Sequence, residues 1–298
     1  STDEVDDILE NFSYDNPSEA VYKITGVRGS GKTVALARIE AEMSEKAFSD
    51  RGWRIYRLTP ARDMIKQFAA NLYKEPFVNK KKERSFQINA QVLGTGGGIG
   101  YSSSEKDACF DIGAEIDEMM DEIIRNRKKI FIGIDEVSRS KEMIVFASEF
   151  GKWLRAGYPV YLVCTGLYEN IQELSNVKNL TFFRRAQTKQ TAPLNTVKMT
   201  ELYKEKLQID TQPARQMAAI TKGYAYAFQE LGKIYFAKKD DETLKEITSK
   251  LKSDLFAYSY EKIWEELPEG DRQFLKCLIN KEEYKRQEVL ELLENKAS

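Results

Sequence analysis

The chain has 298 residues, with 46 basic and 47 acidic side chains, three cysteines and no histidine. Without imidazole there is no Ser-His-Asp or Cys-His nucleophile pair and no His-ligated zinc or haem, and three thiols alone do not complete a usual structural zinc site. The net charge of −1 gives no general pull toward nucleic acid, so any such contact needs a local patch.

Val5, Ile8, Leu9 and Phe12 repeat at helical spacing, and Asn16-Pro17 ends that helix. Residues 20–25 form a short β-prone run followed by a Gly-rich turn. Residues 32–48 open a helix with Val34, Leu36, Ile39 and Met43 on its apolar side. Trp53–Leu58 reads as a strand and residues 61–73 as a helix. The charge run at 79–84 reads as a solvated loop. Residues 85–105 alternate on both sides of Gly94-Thr95-Gly96-Gly97-Gly98, which predicts a β-hairpin insertion with a flexible tip. Residues 112–124 are strongly helical. Residues 129–135 and 159–165 are apolar strands of the kind buried on both faces in a parallel sheet, with a helix over 142–155 between them. From about residue 200 the segments are all helical: 201–207, 213–221, 225–237, 244–256, then three short stretches in 260–295. Strand–helix alternation followed by helices alone implies an α/β core with a helical appendage.

Hydrophobic residues at 42% and aromatics at 11% suffice for real cores. Cys109, Cys164 and Cys277 are far apart and odd in number, as in a reduced intracellular protein. No apolar run approaches the ~20 residues of a membrane span. The acidic start has no signal-peptide core, so a cytoplasmic location without membrane contact is expected. Both ends read as abrupt, as in a trimmed chain.

Gly26-Val27-Arg28-Gly29-Ser30-Gly31-Lys32-Thr33 fits GxxxxGK[ST], between a strand and a helix. Glycines let the backbone curl so that successive N–H groups point at phosphate, and the helix N-terminus adds partial positive charge. Gly26, Val27, Arg28, Gly29, Ser30, Gly31, Lys32, Thr33 and Val34 are therefore predicted to bind ATP. Lys32 is expected to reach the β/γ-phosphates and Thr33 to ligate Mg²⁺. The strand at 129–135 ends in two carboxylates, where an α/β sheet binds its ligand. Asp135 is expected to hold Mg²⁺ through water and Glu136 to polarise the attacking water. Thr165 ends the next buried strand. If that strand lies between the loop strand and the Asp135 strand, Thr165 faces the γ-phosphate region. Arg184 or, by preference, Arg185 is placed to act in trans on a neighbour's nucleotide. Neither a GTPase NKxD motif, an ABC-type LSGGQ nor a protein-kinase HRD occurs in the chain.

Taken in order, GVRGSGKT, IFIGIDE, the Thr165 strand end, FFRRA and the block around Lys222-Gly223-Tyr224-Ala225-Tyr226-Ala227-Phe228-Gln229 resemble the AAA+-type P-loop ATPases related to replication initiators of the origin-recognition kind, with links to STAND ATPases. The resemblance covers roughly residues 1–295 and implies an ATPase core over 1–199 with a parallel sheet of order 5-1-4-3-2. Residues 194–199 would be its fifth strand. It further implies a helical lid over 200–257 and a partial winged-helix domain over 258–298. In such proteins the residues matching Lys32, Thr33, Asp135 and Glu136 bind and hydrolyse Mg-ATP, and Thr165 matches the sensor at the strand end. Three departures stand out. Tyr226 occupies the place of the usual lid arginine. The apolar–Gly–Arg stretch on the adenine side is missing. Only two helices of the winged helix, at 271–280 and 286–295, are legible.

Two functions follow. One is an initiator- or loader-like switch that assembles with itself on duplex DNA; the other is a STAND-like signalling or defence switch that assembles on a protein partner. A nucleotide-locked scaffold is a third. Residues 260–298 carry seven basic and ten acidic side chains, which is no DNA-binding footprint. Lys80, Lys81, Lys82 and Arg84 form the best basic cluster. The 85–105 hairpin reads equally as a partner-contacting projection or an inert insertion.

Overall fold

A computed structural model describes residues 2–78, 112–239, 241–278 and 284–297. The predicted loop at 79–84, the hairpin at 85–105 and Cys109 lie outside the described residues. The chain divides into two compact units, Ser1–Pro193 and Leu194–Ser298.

The first unit runs α1 (Thr2–Ser13), β1 (Val21–Thr25), α2 (Lys32–Met43), α3 (Lys46–Ser49), β2 (Trp53–Leu58), α4 (Met64–Lys74), α5 (Ile112–Arg125), β3 (Lys129–Ile134), α6 (Lys141–Arg155), β4 (Val160–Gly166), α7 (Tyr168–Ser175), α8 (Thr181–Arg185) and β5 (Gln187–Gln190). The five strands form one parallel sheet in the order β2-β3-β4-β1-β5. Read from the other edge this is 5-1-4-3-2, the expected order. Alternation along the strands sorts side chains onto two faces. Ile130, Ile132, Leu162 and Cys164 pack with Phe68 of α4, Met119 of α5, Phe146 of α6, Leu174 of α7 and Phe183 of α8. Tyr22, Ile24, Phe131 and Val163 pack with Ile8 and Phe12 of α1 and Ile39 and Met43 of α2. Phe12 is fully buried among Tyr22, Trp53, Phe131 and Tyr161, with ring centroids 5.4–5.9 Å away.

The fifth strand is a correction. It is Gln187–Gln190, not residues 194–199. The resemblance implied a strand over 194–199, but Asn195 caps a helix there. Its side chain accepts from the amides of Val197 and Lys198 at 2.9 and 3.1 Å, which satisfies two donors that a helix start would otherwise leave open. The helix predicted over 32–48 also breaks, because Glu45 is extended and restarts the chain as α3.

The second unit is helical: α9 (Thr196–Leu207), α10 (Thr211–Ile220), α11 (Ala225–Lys238), α12 (Leu244–Leu255), a π-helical turn (Phe256–Tyr260), α13 (Glu261–Glu266), α14 (Glu269–Cys277) and α15 (Arg286–Ala297). Its core joins Met199, Tyr203, Met217, Leu231, Ile247 and Leu251. The Tyr203 hydroxyl donates to the Phe228 carbonyl at 2.6 Å, so its buried polar end is satisfied. Among the described residues no helix is long and apolar enough to cross a membrane.

Candidate functional site

The register sets the site. Ile24 of β1 lies opposite Thr165 of β4, and Ile134 of β3 lies opposite Cys164. The C-terminal ends of three adjacent strands therefore meet at one edge, and each carries a predicted residue. Open α/β sheets bind ligands outside that edge.

β1 runs into the Gly-rich loop. Gly29 and Gly31 have φ of 70° and 92°, a region that side-chain-bearing residues enter at a cost. These two turns swing the chain into α2, whose first residue is Lys32. The Lys32 ammonium donates to the carbonyls of Gly26 at 3.0 Å and Val27 at 2.8 Å, so it lies inside the loop. Burial lowers its pKa, while the nearby Asp135 and Glu136 carboxylates oppose that shift. Val27, Arg28, Gly29, Thr33 and Val34 are exposed, and Gly26, Ser30 and Gly31 are half-buried. The loop surface is thus open to a ligand.

β3 delivers Asp135 and Glu136. One hydroxyl ties them together: Thr165 Oγ1 donates to Asp135 Oδ1 and accepts the Glu136 amide, the latter at 3.1 Å. The Val137 amide donates to the Thr165 carbonyl at 2.8 Å. Held this way, Glu136 adopts φ 55°, which non-glycine residues rarely take, and its side chain is exposed. Thr165 is itself fully buried. It reaches both carboxylate-bearing residues through the cross-strand register.

Arg184 and Arg185 end α8 and are both exposed. Arg184 Nε donates to the Ser175 carbonyl at 3.2 Å. In the second unit Tyr226 lies in the first turn of α11, its ring edge-on to Tyr224 at 6.2 Å.

Two residues of this part of the chain escaped the sequence reading. Lys23 is buried in the middle of β1; its ammonium donates to the Phe183 carbonyl at 2.7 Å and lies 5.2 Å from the Phe183 ring centroid. It fixes the end of α8 just before Arg184. A charged residue inside an otherwise apolar strand was the available signal. Thr191 follows β5, and its hydroxyl meets Ser30 Oγ at 2.8 Å. Nothing local marks it.

No protein-family model matches the chain, and no curated protein sequence does. Solved structures do. The ORC2 protein of Aeropyrum pernix, in its ADPNP–ADP complexes, aligns with a TM-score of 0.54 at 11% identity, covering 89% of this chain and 70% of that one. The Cdc6p of Pyrobaculum aerophilum aligns with a TM-score of 0.50 at 14% identity, covering 92% and 71%. The Aeropyrum pernix ORC1 protein in complex with DNA aligns with a TM-score of 0.50 at 14% identity, covering 99% and 76%. At such identities the likeness is one of fold. The fold is the P-loop α/β fold of AAA+ type that these structures share, with the sheet order the sequence led one to expect.

Proposed function

We propose that the chain is an AAA+-like switch that binds and hydrolyses ATP and assembles with itself on DNA. The observation that carries the ATPase reading is the meeting of the Lys32 loop with the Thr165–Asp135–Glu136 cluster at adjacent strand ends. The loop amides and Lys32 bind the phosphates. The Thr33 hydroxyl and the Asp135 carboxylate are hard oxygen donors of the kind Mg²⁺ takes. The ion would supply charge neutralisation at the phosphates. Glu136 accepts a proton as water attacks the γ-phosphorus, and the bond from that phosphorus to the ADP oxygen breaks. Thr165 keeps Asp135 and Glu136 in place. The absence of histidine is consistent with this chemistry, which needs no imidazole.

Arg185 is the preferred residue for reaching a neighbour's nucleotide, because Arg184 is already engaged with Ser175. Self-association and DNA are drawn from likeness to origin-recognition proteins, one of them solved with DNA, and fold likeness is an associational warrant. The lid over 200–257, with Tyr226 in the arginine's place, and the partial winged helix over 258–298 belong to the same proposal. The acidic surplus of residues 260–298 favours a DNA contact elsewhere on the chain.

Single-turnover ATP hydrolysis, with and without duplex DNA, tests the reading. Lys32→Ala should abolish nucleotide binding, and Glu136→Gln should retain ATP and lose hydrolysis. Hydrolysis at the wild-type rate by both variants sinks the site assignment. Turnover indifferent to DNA but raised by a protein partner would move the function to the signalling class.

A further inference from the structure

We propose that Thr191 is a positioning residue of the phosphate loop, holding Ser30 and the strand-to-loop junction in the shape that receives a nucleotide's phosphates. The inference rests on reading residues 26–33 as a nucleotide site.

β5 is a polar edge strand whose last ladder pair is Gln190 with Thr25. The next residue leaves the ladder but stays with β1. The Thr191 amide donates to the Thr25 carbonyl at 2.8 Å. Its hydroxyl lies 3.3 Å from the same carbonyl and 2.8 Å from Ser30 Oγ. One side chain thus spans both ends of the turn, from the last residue of β1 to the residue between Gly29 and Gly31.

Gly26 shows that the space was made for this contact. Its φ lies outside the left-handed region that Gly29 and Gly31 occupy, so the backbone there does not demand glycine. A Cβ at Gly26, however, would fall 1.9 Å from Thr191 Oγ1 and 2.7 Å from Ser30 Oγ. The first glycine of the motif is needed where Thr191 lies against the loop.

A loop with three glycines has many conformations to lose on binding phosphate. Anchoring it beforehand reduces that cost. The loop's ties include Lys32 to the carbonyls of Gly26 and Val27, the Ser30 amide to the Val27 carbonyl, and Thr191 to Thr25 and Ser30. Lys32 must leave those carbonyls to meet a phosphate. The Thr191 bonds involve no group that must move to meet a phosphate.

The test is calorimetric titration of the full chain with ADP. Thr191→Val keeps the shape and the amide but removes the hydroxyl; it should weaken ADP binding about threefold to tenfold, the scale of one neutral hydrogen bond. Thr191→Ser should restore binding to within about twofold. Ser30→Ala should also weaken binding, and the double variant should lose less than the product of the two single losses, since both remove the Thr191–Ser30 bond. A merely structural threonine would lower the melting temperature and leave ADP affinity and this non-additivity unmoved. Unchanged binding in Thr191→Val, failure of serine to rescue, or losses that multiply in the double variant would each overturn the proposal. If Thr191→Val does not fold, Ser30→Ala decides: wild-type affinity there overturns it. A wild-type chain that binds no ADP defeats the nucleotide reading itself, and the inference with it.

Discussion

Thr165→Val removes one hydroxyl from a fully buried side chain and keeps its shape. The lost group donates to Asp135 Oδ1 and accepts the Glu136 amide. A hydrogen bond to a charged group contributes about 1.5–3 kcal/mol and a neutral one about 0.5–1.5 kcal/mol. Two terms offset the sum. Asp135 is half-buried and Glu136 exposed, so water replaces part of what is lost. Releasing Glu136 from φ 55° also recovers about 1–2 kcal/mol of backbone strain. The net loss should be about 1–3 kcal/mol, or about 2–12 °C in melting temperature for a unit of this size. Catalysis should suffer more than stability, because the freed Glu136 no longer holds one position relative to the phosphates. Thermal melts of the nucleotide-free chain and ATP turnover at saturation measure both effects, and Thr165→Ser should recover both. A valine variant that melts with wild type and hydrolyses at the wild-type rate would refute the idea that this hydroxyl organises the site.

Lys23 carries a pH signature. Its native pKa is lowered by burial, so between that value and the ordinary 10.5 the unfolded amine binds more protons than the native one. Stability therefore rises with pH through that window. The facing Cys164 thiol, pushed up to about 12, stays protonated there. Wild type should gain on Lys23→Met as urea melts move from pH 7 toward pH 10.5; a falling difference contradicts the assignment. Gly133→Ala places a Cβ 2.1 Å from Glu40 Oε1, a buried carboxylate paired with Arg57 at 2.6 Å. A loss of about 1–3 kcal/mol is expected in chemical denaturation, and Glu40→Ala should relieve the clash. Native Cys164, fully buried and with its thiol pushed up by burial, should alkylate far more slowly than a free thiol at pH 8. Peptide mass spectrometry with and without denaturant reads that difference; equal labelling would place the thiol outside the core.

Much of the site was legible because its signals are local. The loop's glycines, its lysine and the apolar run into Asp135-Glu136 are read within a few residues, and β3 announces itself by an almost continuously buried apolar run. The candidate residues for phosphate and metal were named on that basis. β5 gave no such signal. Its four residues are almost wholly exposed, so neither alternation nor an apolar run marks them, and the fifth strand that the resemblance implied over 194–199 is instead helical.

The sequence by itself determined that the candidate residues sit at strand ends and a helix start. Tertiary structure alone decided which of them touch. Thr165 joins Asp135 because β3 and β4 are neighbours in one register. Lys23 grips Phe183 across 160 residues, and Thr191 braces Ser30 across 161. Periodicity reports the environment of a side chain, core or solvent, but not its partner. Partners this distant in sequence are chosen by strand order and register, and a buried donor or acceptor then bonds whatever the register brings within reach.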